Sequence, residues 1–249
     1  MSRVEVFSPE GLRMDGRRFN DLRHFAAKTH SHPLSADGSC VLQMGNTQVL
    51  CLVRGPSDTL NTASGSNTDG LPTIAVSISS HDSGQGKINR RLRNDKRLNE
   101  LANHIKNTME QIIVSNIYAR TSLEIQITVL ANDGGLLAAC CNATTLALID
   151  AGVAVYDYVS ACTVGVWDRV SLVDICGMEE ADVAVTTVGV LGAGDASNAR
   201  IGLLVAQDKM PMDRLPNALQ VAIDGCEKIR QIMDEIVREM GIELVSKNQ

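Results

Sequence analysis

Residues 132 to 152 read NDGGLLAACCNATTLALIDAG, a glycine pair between a strand-like run and a helix-like run. Chemistry on an anion can be built at such a corner. The first turn of a helix leaves its N–H groups unpaired, and the helix dipole adds partial positive charge there. Here the glycines Gly134 and Gly135 are followed by Leu136 and Leu137, which carry neither charge nor donor. Leucines desolvate a dianion without compensating it. A second chemical feature is the run KINRRLRNDKR, residues 87 to 97. It sets Lys87, Arg90, Arg91, Arg93, Lys96 and Arg97 against the single acid Asp95. Such a run suits a phosphodiester backbone, although a charge run is more often a solvated helix face.

Other reactive side chains form no constellation. His24, His30 and His32 lie close in sequence without acids or thiols spaced to join them in a metal site. The seven cysteines (Cys40, Cys51, Cys140, Cys141, Cys162, Cys176 and Cys226) sit in apolar segments with no C-x-x-C pair. They read as small core residues rather than zinc ligands or a disulfide framework. No metal or cofactor is expected. Arg13, Arg17, Arg18 and Arg23 fall in a turn-rich segment and read as structural or interface ion pairs.

The elements that must position these residues follow from periodicity. Residues 36 to 56 predict a β-hairpin, with apolar runs Cys40–Met44 and Val49–Val53 around a turn at Gly45-Asn46 and a stop at Pro56. Residues 57 to 70 predict a polar loop, and LPTIAVSIS a strand. Leu98, Leu101, Ile105, Met109 and Ile112 give a helical face after the basic run. Residues 121 to 130 alternate as a strand. The run Leu136–Ile149 is small or apolar throughout, which predicts a helix buried on most sides, ending at Gly152. SACTVGVW, RVSLVD, VAVTTVGVL and RIGLLVAQD then predict four strands, and a helix runs from about Met212 to Met240. Strands precede a helix twice, so the expectation is one compact unit over 1–249 with two similar halves, 1–152 and 153–249. Its core must come from aliphatic residues, because hydrophobic residues are 44% of the chain and aromatics only 3%. The formal net charge of -6 argues against a generic nucleic-acid coat but leaves local basic patches open. No apolar run is long enough to span a bilayer, and the first residues lack the apolar stretch of a signal peptide, so an intracellular chain is expected.

Five stretches together, LRMDGRRFNDLR, ADGSCVLQMGNTQVLCLVRGP, YARTSLEIQITVL, DGGLLAACCNATTLALIDAG and MPMDRLPNAL, resemble the RNase PH family across nearly the whole chain. The family includes bacterial RNase PH, polynucleotide phosphorylase and the exosome ring. SPEGLRMDGRR and the DGG turn are closer still to eukaryotic exosome ring subunits of the archaeal catalytic type. The resemblance implies an α+β RNase PH fold, like domain 2 of ribosomal protein S5, with two pseudo-repeated sheet-plus-helix halves.

Active members of that family use inorganic phosphate to cleave RNA from its 3′ end. Their phosphate turn carries Gly-Ser-Arg where this chain has Gly135-Leu136-Leu137. The remaining backbone amides contribute about 1 kcal/mol or less where exposed. Losing a charge-assisted pair costs more, on the order of 2–3 kcal/mol. By resemblance Asp174 matches the first family aspartate and Asp182 stands where the second would be. The segment between them is shorter than in active members, which leaves Glu179 and Glu180 as alternatives. Lys96 and Arg97 match a basic pair that grips RNA phosphates, and Arg91 and Arg93 extend that surface. The resemblance therefore implies a non-catalytic ring subunit that channels RNA, or alternatively a phosphorolytic nuclease with an atypical phosphate site. It implies as partners RNA, other RNase PH-type subunits in a six-membered ring, S1/KH cap subunits and a hydrolytic exonuclease. It also implies a location in nucleus, nucleolus and cytoplasm.

Overall fold

The computed structural model describes residues 12–58, 72–80, 96–167, 170–192 and 200–247. The alternation of Cys40, Leu42 and Met44 with Val49, Cys51 and Val53 turns one face of a hairpin inward, and all six side chains are buried. These residues form β2 (Gly38–Met44) and β3 (Thr47–Asp58), in a register that pairs Met44 with Thr47 across the Gly45-Asn46 turn. Gly45 has φ 61°, as a tight hairpin turn requires. Two further strands, β4 (Thr73–Ser80) and β5 (Thr121–Ala131), join β1 (Phe25–Thr29) to complete a five-stranded sheet in the order β1-β2-β3-β5-β4. β4 and β5 run parallel, which a short turn cannot connect. The connection carries α1 (Lys96–Ile112), whose buried Leu98, Ile105, Met109 and Ile112 pack it onto β4.

The second sheet has the order β7-β6-β8-β9 and is antiparallel throughout. Its strands are β6 (Val159–Trp167), β7 (Val170–Val173), β8 (Ala184–Leu191) and β9 (Arg200–Ala206). Between the sheets lies α2 (Leu136–Asp150), buried continuously from Leu137 to Leu148. It packs on β2 and β3 from one side and on β6 and β8 from the other. That explains its composition: a helix with two sheet faces to satisfy has no polar stripe to spare. Its one buried amide, Asn142, is fully used. Nδ2 donates to the Ala161 carbonyl at 2.9 Å and Oδ1 accepts from the Ala161 N–H at 2.7 Å. The long helix α4 (Leu215–Lys247) covers the outer face of β6, β7 and β8. One apolar cluster runs from the first sheet through α2 to α4. The architecture is the expected α+β arrangement of two sheets with helices between and around them.

Four differences from the sequence reading have local causes. β1, with the sequence FAAKT, has little strand propensity of its own and becomes a strand by pairing with β2. β3 continues past Pro56 because an irregularity in its pairing with β5, between Arg54 and Ser57, takes the residue that cannot donate out of the ladder. A four-residue helix, α3 (Gly177–Glu180), appears between β7 and β8, capped by Glu179 through the Cys176 N–H at 3.0 Å. α4 runs on to Lys247, since an interior glycine such as Gly241 costs only about 1 kcal/mol against alanine. All seven cysteines are buried and unbridged. Burial pushes the thiols of Cys51, Cys141 and Cys226 up to about 12, which makes them poor nucleophiles. No helix among the described residues is long and apolar enough to cross a membrane.

Candidate phosphate and RNA cleft

The corner between β5 and α2 is shaped by two left-handed glycines, Gly134 at φ 81° and Gly135 at φ 65°. Gly135 is the N-cap of α2, with no side-chain cap. A Cβ on Gly134 would lie 2.7 Å from both the Cys176 carbonyl carbon and the Gly177 nitrogen, so the corner presses against the backbone of the second half. Side chains bolt it there. Arg23 donates from Nη1 to the Asp133 carbonyl at 2.6 Å and from Nη2 to the Gly134 carbonyl at 3.2 Å. The same guanidinium holds Asp174 Oδ1 at 3.0 and 2.7 Å, and the Arg23 N–H reaches Oδ2 at 2.9 Å. Thr47 Oγ1 donates to the Gly134 carbonyl at 2.8 Å and accepts from the Asp133 N–H at 3.0 Å. The Asp133 carboxylate accepts from Asn46 Nδ2 and from the Gly177 N–H.

Asp174 therefore serves as the inner anchor of the corner. It is 2% exposed, adopts φ 50°, and both carboxylate oxygens accept from Arg23. A second buried pair lies alongside. Arg13 Nε donates to Glu179 Oε1 at 2.8 Å, and Arg13 Nη1 donates to the Val173 carbonyl at 2.6 Å. Burial opposes ionisation of Glu179, but hydrogen bonds from Arg13 and the Cys176 N–H outweigh it and hold its carboxyl below the ordinary range. The reading of Arg13 and Arg23 as structural ion pairs holds.

In front of the corner opens a cleft of about 630 Å³ between α1, the start of α2, and the ends of β8 and β9. Arg97, Glu100 and His104 reach it from α1, Thr163 and Thr187 from the second sheet, and Glu180 from α3. Leu136 is part of the wall and half-buried; Leu137 is 3% exposed and belongs mostly to the core. Glu180 is half-buried. Burial raises its carboxyl above the ordinary range; Arg97, Arg23 and the Gly135 backbone pull the other way, and Asp208 adds to the rise. Of the acids singled out in the sequence, the cleft is lined by Glu180. Asp182 is exposed on the turn after α3 and, like Asp174 and Glu179, is absent from the lining. Lys96 and Arg97 are both exposed at the start of α1, yet only Arg97 lines the cleft, because successive helical residues point about 100° apart. Arg91, Arg93 and the polar loop of 57 to 70 from residue 59 onward lie outside the described residues.

Sequence reasoning missed the specific partners of Arg23. The signal was present in the two corner carbonyls of Asp133 and Gly134, which fall between β5 and α2 and require a donor from elsewhere. It also left Glu180 as one alternative among several. The adjacency Glu179-Glu180 on one helical turn predicts that the two point different ways, one inward and one out.

The fold has counterparts among solved structures. A rice (Oryza sativa) Rrp46 superposes with a TM-score of 0.75 at 23% identity, covering 89% of this chain and 98% of that one. A chain of the Archaeoglobus fulgidus exosome, solved with RNA bound to the active site, gives 0.70 at 19% identity, covering 89% and 92%. The model of the 3′ exoribonuclease family, RNase PH domain 1, matches residues 21–154, more than half of the chain, and the chain belongs to that family. Among its relatives, Exosome complex component SKI6 of Saccharomyces cerevisiae is 37% identical over 246 residues, covering 99% of this chain and 98% of the relative. The Arabidopsis thaliana exosome complex component RRP41 homolog is 35% identical over 238 residues, covering 95% of each, and the Homo sapiens RRP41 is 32% identical over 246 residues, covering 96% of each.

Proposed function

We propose that this chain is a ring subunit of an RNA exosome that guides RNA and does not cleave it. Relatives bearing exosome-component names over nearly their full length support the first part. One observation carries the second. At the Gly134-Gly135 corner the cleft presents Leu136, the carboxylate of Glu180 stands against the lining's one arginine, Arg97, and the nearest buried guanidinium, Arg23, is directed at carbonyls and at Asp174. A dianion entering here would meet a like charge and an apolar wall. Arg97 and Lys96, exposed at the start of α1, supply charge suited to an RNA backbone and carry no sequence code. Ring neighbours of the same family, S1/KH caps and a separate hydrolytic exonuclease would complete the assembly, working in nucleus, nucleolus and cytoplasm.

The test is to incubate the purified assembly with 3′-labelled RNA and inorganic phosphate. No nucleoside diphosphate is expected. Phosphate-dependent release that Asp182→Asn or Glu180→Gln abolishes would establish the second reading, a phosphorolytic nuclease with a substitute site, for which the open cleft with Arg97 and His104 is the supporting observation. The RNA role has its own check. Lys96→Glu with Arg97→Glu should weaken RNA binding by the assembly about tenfold or more at low salt and flatten its salt dependence, with assembly intact. Unchanged affinity and salt slope would refute it.

A further inference from the structure

The two edge strands of the second sheet are treated differently. β7 is closed by the chain itself: the Val173 N–H donates to the Phe19 carbonyl at 3.0 Å, and the Val173 carbonyl accepts from Arg13 Nη1 at 2.6 Å. β9 has β8 on one side and, among the described residues, no hydrogen-bond partner on the other. An open edge is a row of N–H and C=O groups that pairs with a strand brought to it, and folds guard such rows with charge or proline. The interior of β9, IGLLV, has neither. Its exposed side chains are apolar as well. Ile201 pairs with Val190 and Leu204 with Val188, so the register shift beside Gly189 sets both on one face. That is the α4 face of the sheet. Val188 also pairs with Cys162, and a Cβ on Gly225 of α4 would lie 3.1 Å from the Cys162 Sγ. α4 packs on β6, β7 and β8, and beyond it Ile201 and Leu204 remain 42% and 49% exposed.

We propose that β9 is a docking edge for an extended segment of a neighbouring chain in the assembly, which joins the four-stranded sheet as a further strand and lays apolar side chains beside Ile201 and Leu204. The inference rests on the ring-subunit reading above and names a surface through which a neighbour is held. The occupant follows from the chemistry of the edge. Backbone donors and acceptors at strand spacing are satisfied in full by another strand, whose alternate side chains all meet one face. A helix laid on Ile201 and Leu204 would cover the side chains and leave the backbone row unpaired. The seven residues of Arg200–Ala206 suffice for a pairing of ordinary strand length. Arg200, exposed at the start of β9, is the only charge on the strand and favours an acidic residue opposite it. The docking segment is therefore extended, free of proline over its paired length, apolar at alternate positions, and acidic at the end that meets Arg200.

Amide hydrogen exchange reads the pairing directly. The full chain alone and the purified assembly are compared over Arg200–Ala206. In the chain alone the amides on the open side of β9 should exchange freely, and in the assembly they should slow about tenfold or more. Leu204→Lys alters a half-exposed side chain, so the variant should fold like wild type, yet weaken assembly about tenfold or more and lose the slowed exchange. Ile201→Lys carries the same expectation and serves if the first variant folds poorly. Amides that exchange as fast in the assembly as in the chain alone overturn the proposal. So does slow exchange already present in the chain alone, which would put the cover within this chain. Weakened assembly by Leu204→Lys without slowed amides in wild type would mean that a helix or loop rests on the face, and it overturns the proposal too. These outcomes are read on an assembly that forms. A chain recovered without any RNase PH-type neighbour would instead refute the functional reading itself.

Discussion

On its inner side the Asp133–Gly135 corner meets Arg23, Thr47, Asn46 and the Gly177 N–H through hydrogen bonds of 2.6 to 3.2 Å. On its outer side it faces an open cleft with a half-buried carboxylate, one arginine and a leucine wall. The inner side is held by oriented hydrogen bonds; the outer side sets Arg97 and His104 beside Glu180 and Leu136 in a cleft. The difference separates two roles that a glycine corner at a helix start can combine. One is to join two halves of a fold at contact distance, and the other is to hold an anion. This chain retains the first in full.

The comparison breaks if the inner side turns out to be dispensable. Arg23→Ala leaves Asp174 buried without its partner and takes a donor from the Asp133 and Gly134 carbonyls. It should destabilise the protein by about 3–5 kcal/mol, measured by denaturant unfolding of the assembled chain. Arg13→Ala should act similarly through Glu179. Because the Glu179 carboxyl is held below its ordinary range, the pair's contribution is present above the unfolded-state value and is lost as pH falls through the lower folded-state value. A loss under about 1 kcal/mol for Arg23→Ala would mean that the corner is held by packing alone.

Next in size is the contact itself. Gly134→Ala combines a left-handed backbone with a Cβ 2.7 Å from the Cys176 and Gly177 backbone. The expected cost is about 2–4 kcal/mol. Gly152→Ala has a similar φ of 69° but nothing within 4 Å of its Cβ, and should cost only about 1 kcal/mol. Equal effects on the two melting curves would show that backbone conformation, not the meeting of the halves, is what Gly134 provides.

Much of this was readable from residues. The hairpin register followed from Cys40–Met44 and Val49–Val53 around Gly45-Asn46, since a two-residue turn and period-2 alternation leave one solution. The enclosed helix α2 followed from its lack of any polar face. The cleft was less readable, because it is assembled from α1, α2, α3 and two strand ends far apart in sequence. Asp174 was identified by position in a motif, and nothing in the motif says that Arg23, 151 residues away, will take both its oxygens. Glu180 was hidden by α3, whose four residues are too few for a periodic pattern. Long-range ion pairs and short capped turns are determined by tertiary contact, which local pattern does not carry.

The smallest expected effect sharpens the outer side of the comparison. Burial, the largest influence on Glu180, raises its carboxyl above the unfolded-state range. A group with a raised folded-state value binds its proton more tightly when folded. At neutral pH the ionised carboxylate therefore weighs against folding. That penalty is absent below the unfolded-state value and builds as pH rises through the folded-state one. Glu180→Gln removes the penalty and should melt slightly higher than wild type at pH 7, by less than about 2 °C, with the two curves converging near pH 4. The effect is small because the side chain is only half-buried and Arg97 offsets part of the cost. A lower melting temperature for Glu180→Gln at pH 7 would mean that the carboxylate is a net stabilising partner of Arg97 and the Gly135 N–H. The outer side would then be as well satisfied as the inner, and the contrast between them would disappear.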